Sequence, residues 1–293
     1  MSIERLFDAV KRSGPVCVGL DTAPDYIPPK AALEQAAASV LRFNEALIEA
    51  TVDVSACYKI QIAYYEALGR EGMDVYAKTL AYARARGGIC IADIKRGDIS
   101  DTAVQYAKAH FSGDFEADIV TLNPYMGMDS IEPWFTEAER RNKGAFVLLR
   151  TSNKGFVDFE GQKTANGACV YDLVGEKLLE LAQRSSGNSG YGIFGAVVGA
   201  EAKSAAEREE ARMLRLKYSK LFFLIPGYGA QGGGAAEAAL LLTEQKNGGV
   251  INASRSILKA WQNLETGIET TLENAAQAAR AAVIQMRDSI KSA

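Results

Sequence analysis

Histidine is almost missing from this sequence: His110 is the only one in 293 residues. That argues against a Ser-His-Asp hydrolase and against a zinc site built from several histidines, and leaves acid–base chemistry to Lys, Asp or Tyr. His110 itself falls in a helical run, residues 103–111, where a surface or packing role is expected. Cysteine is scarce too. Cys17, Cys57, Cys90 and Cys169 have no metal-ligand spacing, and three of them lie in apolar, strand-like runs that suit buried free thiols. No apolar stretch is long enough to span a bilayer, and Met1-Ser2-Ile3-Glu4-Arg5 lacks the regions of a signal peptide. Charge of one sign is lacking as well, with 33 Lys and Arg against 36 Asp and Glu, a formal net charge of −3 and no long basic block. General nucleic-acid binding is thereby disfavoured, whereas a single anionic ligand needs only a local site. The class that remains is a cytoplasmic enzyme with reduced thiols and no membrane partner.

What the sequence does contain is an unusual strand end. The apolar run Gly88-Ile89-Cys90-Ile91-Ala92 leads directly into Asp93-Ile94-Lys95-Arg96-Gly97-Asp98, charges that a buried strand normally excludes. Side chains alternate across a strand, so Asp93 and Lys95 are expected on one face with Ile94 on the other. Asp98 follows as the pattern turns helical through Ser100, Asp101 and Thr102. Carboxylate, ammonium and carboxylate are thus expected close together at a strand terminus. An ion pair beside a helix N-cap is the purely structural alternative.

Short apolar, β-rich runs alternate with longer helical patterns from end to end. The expected strands are residues 16–20, 57–62, 89–94, 119–122, 145–149, 194–198, 221–225 and 249–252. Helical patterns occupy residues 31–50, 75–86, 131–140, 171–183, 202–216 and 235–244, and an alanine-rich closing helix spans 268–292. Eight strand–helix units in one chain imply a parallel α/β sheet closed as a (β/α)8 TIM barrel, a single domain over residues 1–293. A doubly wound open sheet is the alternative. Asp21, Lys59, Asp93, Lys95, Asn123, Arg150 and Ser152 all fall at C-terminal strand ends, where barrels build their active sites. Strand parity turns Cys17, Gly19 and Asp21 inward on the first strand, and Cys57, Lys59 and Gln61 on the second.

With Asp21, Lys59, Asp93-x-Lys95-x-x-Asp98, Thr102 and a late Gly/Gln/Arg set in view, the chain resembles the orotidine 5′-phosphate decarboxylases over nearly its full length. The segments Asn123-Pro124-Tyr125-Met126-Gly127 and Arg150-Thr151-Ser152-Asn153 are similar to the longer bacterial branch. Lys154 departs from that pattern, since proline is expected there. The Asp-x-Lys-x-x-Asp motif is shared with related sugar-phosphate barrels. A metal-dependent keto-sugar-phosphate lyase, using the same carboxylates as Mg2+ ligands, is therefore the rival reading.

The resemblance implies decarboxylation of orotidine 5′-monophosphate to uridine 5′-monophosphate in pyrimidine biosynthesis, with no metal and no organic cofactor. Loss of CO2 leaves an electron pair at C6 in the plane of the ring, which no π-system delocalises. A fixed ammonium stabilises that pair and then protonates it, the role expected of Lys95. Asp93, Lys59 and Asp98 are expected to form an alternating charge network with Lys95 that keeps it protonated. The resemblance also implies a homodimer in which Asp98, Ile99 and Thr102 enter the neighbouring subunit's site. Asp21 and Lys59 are placed for the ribose hydroxyls, and the resemblance implies that Ser152 hydrogen-bonds the pyrimidine edge. The loop Gly227-Tyr228-Gly229-Ala230-Gln231-Gly232-Gly233-Gly234 lets backbone N–H groups approach a phosphate, with Gln231 as a further donor and Arg255 as a forked cation.

Overall fold

A computed structural model describes residues 1–199, 202, 204–228, 234–265 and 267–293. Eight parallel strands close into a barrel in sequence order. They are β1 (Val16–Gly19), β2 (Cys57–Gln61), β3 (Cys90–Arg96), β4 (Ile119–Leu122), β5 (Gly144–Arg150), β6 (Phe194–Val198), β7 (Phe223–Ile225) and β8 (Gly249–Ala253). β8 returns to β1 through Cys17↔Asn252, which closes the ring and excludes the open sheet. The helices up to the middle of the chain are α1 (Ser2–Ser13), α2 (Ala36–Thr51), α3 (Ile62–Glu66), α4 (Gly69–Ala85), α5 (Ser100–Phe111) and α6 (Glu132–Arg141). Then come α7 (Val170–Arg184), α8 (Ala205–Lys217), α9 (Ala235–Ala239), α10 (Arg255–Leu258) and the long α11 (Leu272–Ser292).

Strand parity divides the chain's apolar residues into two clusters. Outward-facing Val18, Ile60, Ala92, Val120 and Val147 pack under the helices. Inward-facing Cys17, Cys57, Ile91, Ile119, Phe146, Phe222 and Val250 fill the N-terminal end of the barrel. That end is stoppered by α1, whose Ile3, Leu6 and Val10 join the same cluster. The sequence reading placed no element before residue 16, although the spacing of these three residues is helical. With the bottom stoppered largely by hydrocarbon, the inward polar residues Asp21, Lys59, Gln61 and Asp93 lie at the C-terminal mouth.

Other departures are local. The helix expected from residue 31 starts at Ala36, because Pro29–Ala31 forms a single 3-10 turn and Ala32 is extended. Ser39 Oγ then accepts the Leu33 N–H at 2.7 Å, tying that extended segment to the first turn of α2. The last helical pattern before β8 is regular only to Ala239. All four cysteines are buried and free. No helix among the described residues is long and apolar enough to cross a membrane.

Candidate active site

Four charged side chains are strung across the barrel mouth. Lys95 Nζ lies 2.6 Å from Asp93 Oδ1, Lys59 Nζ lies 3.0 Å from Asp93 Oδ2, and the same Lys59 Nζ lies 3.0 Å from Asp21 Oδ1. Charges therefore alternate along the row Lys95, Asp93, Lys59, Asp21. The Lys59 side chain is 6% exposed and that of Asp93 7%, whereas Lys95 is 45% exposed. The buried pair forms a fixed base, and the Lys95 ammonium stands open to a ligand.

The electrostatics favour full ionisation of the buried pair. Burial by itself pushes the Asp93 carboxyl up, but the Lys59 and Lys95 ammonium groups outweigh it and hold that carboxyl well below the usual carboxylate range. For Lys59, burial pulls the ammonium down, and the carboxylates of Asp21 and Asp93 overcome it, holding Lys59 above the ordinary lysine value. Gln61 Nε2 donates to Asp93 Oδ2 at 3.0 Å and Thr121 Oγ1 donates to Oδ1 at 2.8 Å, so four donors converge on this one carboxylate.

Asp21 is held from two sides. Ser254 Oγ, just past β8, donates to Asp21 Oδ2 at 2.7 Å. That approach requires glycine at position 19, where a Cβ atom would stand 2.0 Å from Ser254 Oγ. Beneath Asp21, Tyr65 donates to the Leu20 carbonyl and Thr22 to Asn44, a buried network fixing the turn that follows β1.

Two recesses open over this row. One, about 360 Å³, is bounded by Asp21, Tyr64, Tyr228, Ser254 and Arg255. The other, about 390 Å³, is bounded by Lys95, Thr121, Leu148, Val197 and Leu224. Lys59, Asp93, Ser152 and Pro226 line both, so the two communicate over the charged row. The first offers hydroxyl and anion partners, the second an apolar wall beside the exposed ammonium. A ligand with a polar, anionic half and a flat half matches this division. Among the described residues no three His, Cys, Asp or Glu side chains gather as they do around a metal ion.

The sequence pattern of the Orotidine 5′-phosphate decarboxylase / HUMPS family matches residues 14–268. A Clostridium acetobutylicum protein named orotidine 5′-phosphate decarboxylase is 52% identical over 296 residues, covering 99% of each chain. The chain belongs to this family. A Clostridium perfringens orotidine 5′-phosphate decarboxylase is 50% identical over 295 residues, covering 100% of this chain and 99% of its own. The solved structure of Leishmania donovani OMP decarboxylase superposes with a TM-score of 0.72 at 29% identity, covering 98% of each chain.

Within this decarboxylase-family barrel, the residues singled out from sequence fall into three groups. Lys95, Asp93, Lys59, Asp21, Ser152 and Arg255 converge on the two recesses. Asp98, Ile99 and Thr102 do not meet that row within one chain. The Asp98 carboxylate accepts its neighbour Ile99's N–H at 2.8 Å and has no ion-pair partner among the described residues. Ile99 is 44% exposed, and Thr102 lies exposed on the first turn of α5. Gly229 and Gln231 lie outside the described residues. Arg150, also at a strand end, turns away to Glu210 at 3.2 Å and stacks on Phe156. Lys154 opens a short 3-10 turn, Lys154–Asp158, with Asn153 extended before it.

Among the residues at this site that were not singled out as functional are Gln61, Tyr64, Thr121, Gly199, Asn252 and Ser254. Thr121, Asn252 and Ser254 had a readable signal, being polar residues at inward positions near C-terminal strand ends. Gly199 follows β6, and a Cβ there would stand 2.7 Å from both Cα and Cβ of Ser152, so glycine is what lets Ser152 settle against β6. Nothing in the sequence near residue 199 announces that contact.

Proposed function

We propose that this chain removes CO2 from orotidine 5′-monophosphate to give uridine 5′-monophosphate, a step of pyrimidine nucleotide synthesis, using no metal or organic cofactor. The observation that carries the reading is the Lys95 ammonium, exposed to the cavity and tethered 2.6 Å from Asp93, whose other oxygen is bound by buried Lys59. In the reaction the C6–carboxylate bond breaks and its electron pair stays on C6. Lys95 stabilises that pair and transfers an N–H proton to it, then regains a proton from water. Asp93 holds the ammonium in place; its repulsion of the substrate carboxylate is a smaller contribution.

The remaining assignments follow the division of the cavity. Asp21 and Lys59 take the ribose hydroxyls, and Ser152 takes the pyrimidine edge. Arg255 with the loop containing Gly229 and Gln231 takes the phosphate, whose binding energy is expressed at the distant C6. Asp98, half-buried, and the exposed Ile99 and Thr102 act in the site of a second subunit, making the enzyme a homodimer with shared sites. Four free cysteines suit a reducing compartment, the cytoplasm. The metal-dependent lyase reading is weaker, because both Asp93 oxygens already carry ammonium partners that a cation would have to displace.

Purified protein mixed with orotidine 5′-monophosphate and excess chelator tests this reading. Conversion to uridine 5′-monophosphate, followed by absorbance and product identification, is the expected result. Folded protein that is silent under chelation and acts only on a keto-sugar phosphate with added Mg2+ overturns it.

A further inference from the structure

The ladder between β3 and β4 breaks where the charged row begins. Ala92 pairs with Val120, and the next partners are Arg96 and Leu122. Three residues of β3, Asp93, Ile94 and Lys95, therefore stand opposite the single residue Thr121. A bulge of this kind takes backbone N–H groups off the ladder, and buried N–H groups then need another acceptor. Here that acceptor is a side chain. Thr121 Oγ1 accepts the Ile94 N–H at 3.0 Å and the Lys95 N–H at 2.9 Å.

A hydroxyl has two acceptor sites and one proton. With both acceptor sites used by the bulge, the Thr121 proton goes to Asp93 Oδ1, 2.8 Å away. This is the oxygen that Lys95 Nζ also meets, at 2.6 Å. Lys95 itself has φ 44°, a left-handed conformation that a residue with a Cβ holds only when its surroundings impose it. Thr121 is 1% exposed, so its hydroxyl is shielded from bulk water.

We infer that Thr121 is a positioning residue for the decarboxylation. One hydroxyl locks the backbone of Lys95 in its left-handed turn and at the same time orients the carboxylate to which the Lys95 ammonium is tethered. This inference rests on Lys95 being the proton donor, as proposed above. Thr121 borders the recess beside Lys95, but its hydroxyl is taken up by the Ile94 and Lys95 N–H groups and by Asp93, so it acts through the placement of Lys95 and Asp93.

The test compares wild type with Thr121→Val, which keeps the shape and loses the hydroxyl, and with Thr121→Ser, which keeps the hydroxyl. Thr121→Val is expected to lower kcat about 100-fold, the scale of an ångström-sized misplacement. KM and the Kd for uridine 5′-monophosphate should stay within about threefold, since binding groups elsewhere are untouched. Thr121→Ser should retain kcat within about fivefold. Amide hydrogen exchange gives a readout independent of turnover: Ile94 and Lys95 N–H groups are expected protected in wild type and Thr121→Ser, and unprotected in Thr121→Val. If the valine variant does not fold, Thr121→Cys, a weaker hydrogen-bonding group, takes its place with the same expected direction. A folded valine or cysteine variant with kcat within twofold of wild type overturns the inference, as does a serine variant no better than valine. Wild-type protein inert towards orotidine 5′-monophosphate would instead refute the decarboxylase reading, and the exchange pattern would still decide whether Thr121 holds the Lys95 backbone.

Discussion

Lys95 Nζ rests 2.6 Å from Asp93 Oδ1 although the two residues are only two positions apart on one strand. In a regular strand such neighbours point the same way but stand about 6–7 Å apart along the chain. The contact is made through the irregular backbone at residues 93–95, and it leaves one carboxylate shared between a buried and an accessible ammonium. Lys59 fixes the carboxylate from below, and Lys95 can reach a ligand without losing its anchor.

Removing Lys59 should be costly to the fold and to the reaction. Lys59→Met leaves Asp21 and Asp93 facing each other without the cation between them, a loss of about 3 kcal/mol for a broken buried pair. The sign of its pH dependence follows from Asp93, whose folded carboxyl lies below the ordinary 3.8. Its ionised form contributes stability above that value and the contribution is lost as pH falls below it. The gap between wild type and Lys59→Met in urea unfolding should therefore be widest near neutrality and narrow below pH about 4. A gap that is the same at both ends contradicts the assignment.

Gly199→Ala tests the seat of Ser152. The added Cβ would stand 2.7 Å from Ser152, so the segment after β5 must shift. Overpacking of this kind costs about 1–3 kcal/mol, and here it should fall on kcat/KM for the nucleotide as well as on stability. Unchanged kcat/KM would show that Ser152 need not sit where β6 places it.

His110 makes a prediction away from the site. It is 3% exposed, stacks on Trp134 with ring centroids 6.5 Å apart, and its buried Nδ1 has no hydrogen-bond partner among the described residues. Burial, aided by the Arg96 charge, lowers it to about 4 from an ordinary 6.5. A folded value below the unfolded one means the neutral ring supports the fold above pH 6.5 and that support is lost as pH falls towards 4. Relative to His110→Gln, wild type should lose about 3 kcal/mol across that window and nothing above it. Parallel stability curves for the two proteins would contradict a neutral buried ring.

Much of the architecture was legible because barrel strands obey a two-residue period. Cys17, Gly19 and Asp21, like Cys57, Lys59 and Gln61, share an inward face as alternation requires. What alternation misses is where it breaks. The bulge at residues 93–95 depends on Thr121, and Asp21 depends on Ser254, 233 positions away. Both supports are made by ordinary hydroxyl residues whose meaning arises only when the barrel closes. Asp98 is the converse case: its motif spacing is plain, yet among the described residues its carboxylate meets only its neighbour's N–H.

That isolation gives a direct test of shared sites. Asp98→Ala and Lys95→Ala subunits, each inactive alone, should regain activity when mixed, because a hybrid dimer rebuilds one complete site. Equal amounts with free exchange give about a quarter of the wild-type sites. No recovery after subunit exchange has been demonstrated would contradict a site shared between subunits.

The most direct measurement is made on Lys95→Ala alone: turnover of orotidine 5′-monophosphate alongside binding of uridine 5′-monophosphate. If Lys95 stabilises and protonates C6 as proposed, its loss should lower turnover by about 1,000-fold or more while product binding remains measurable. Turnover within tenfold of wild type, in a variant that folds and binds the product, would contradict Lys95 as the proton donor.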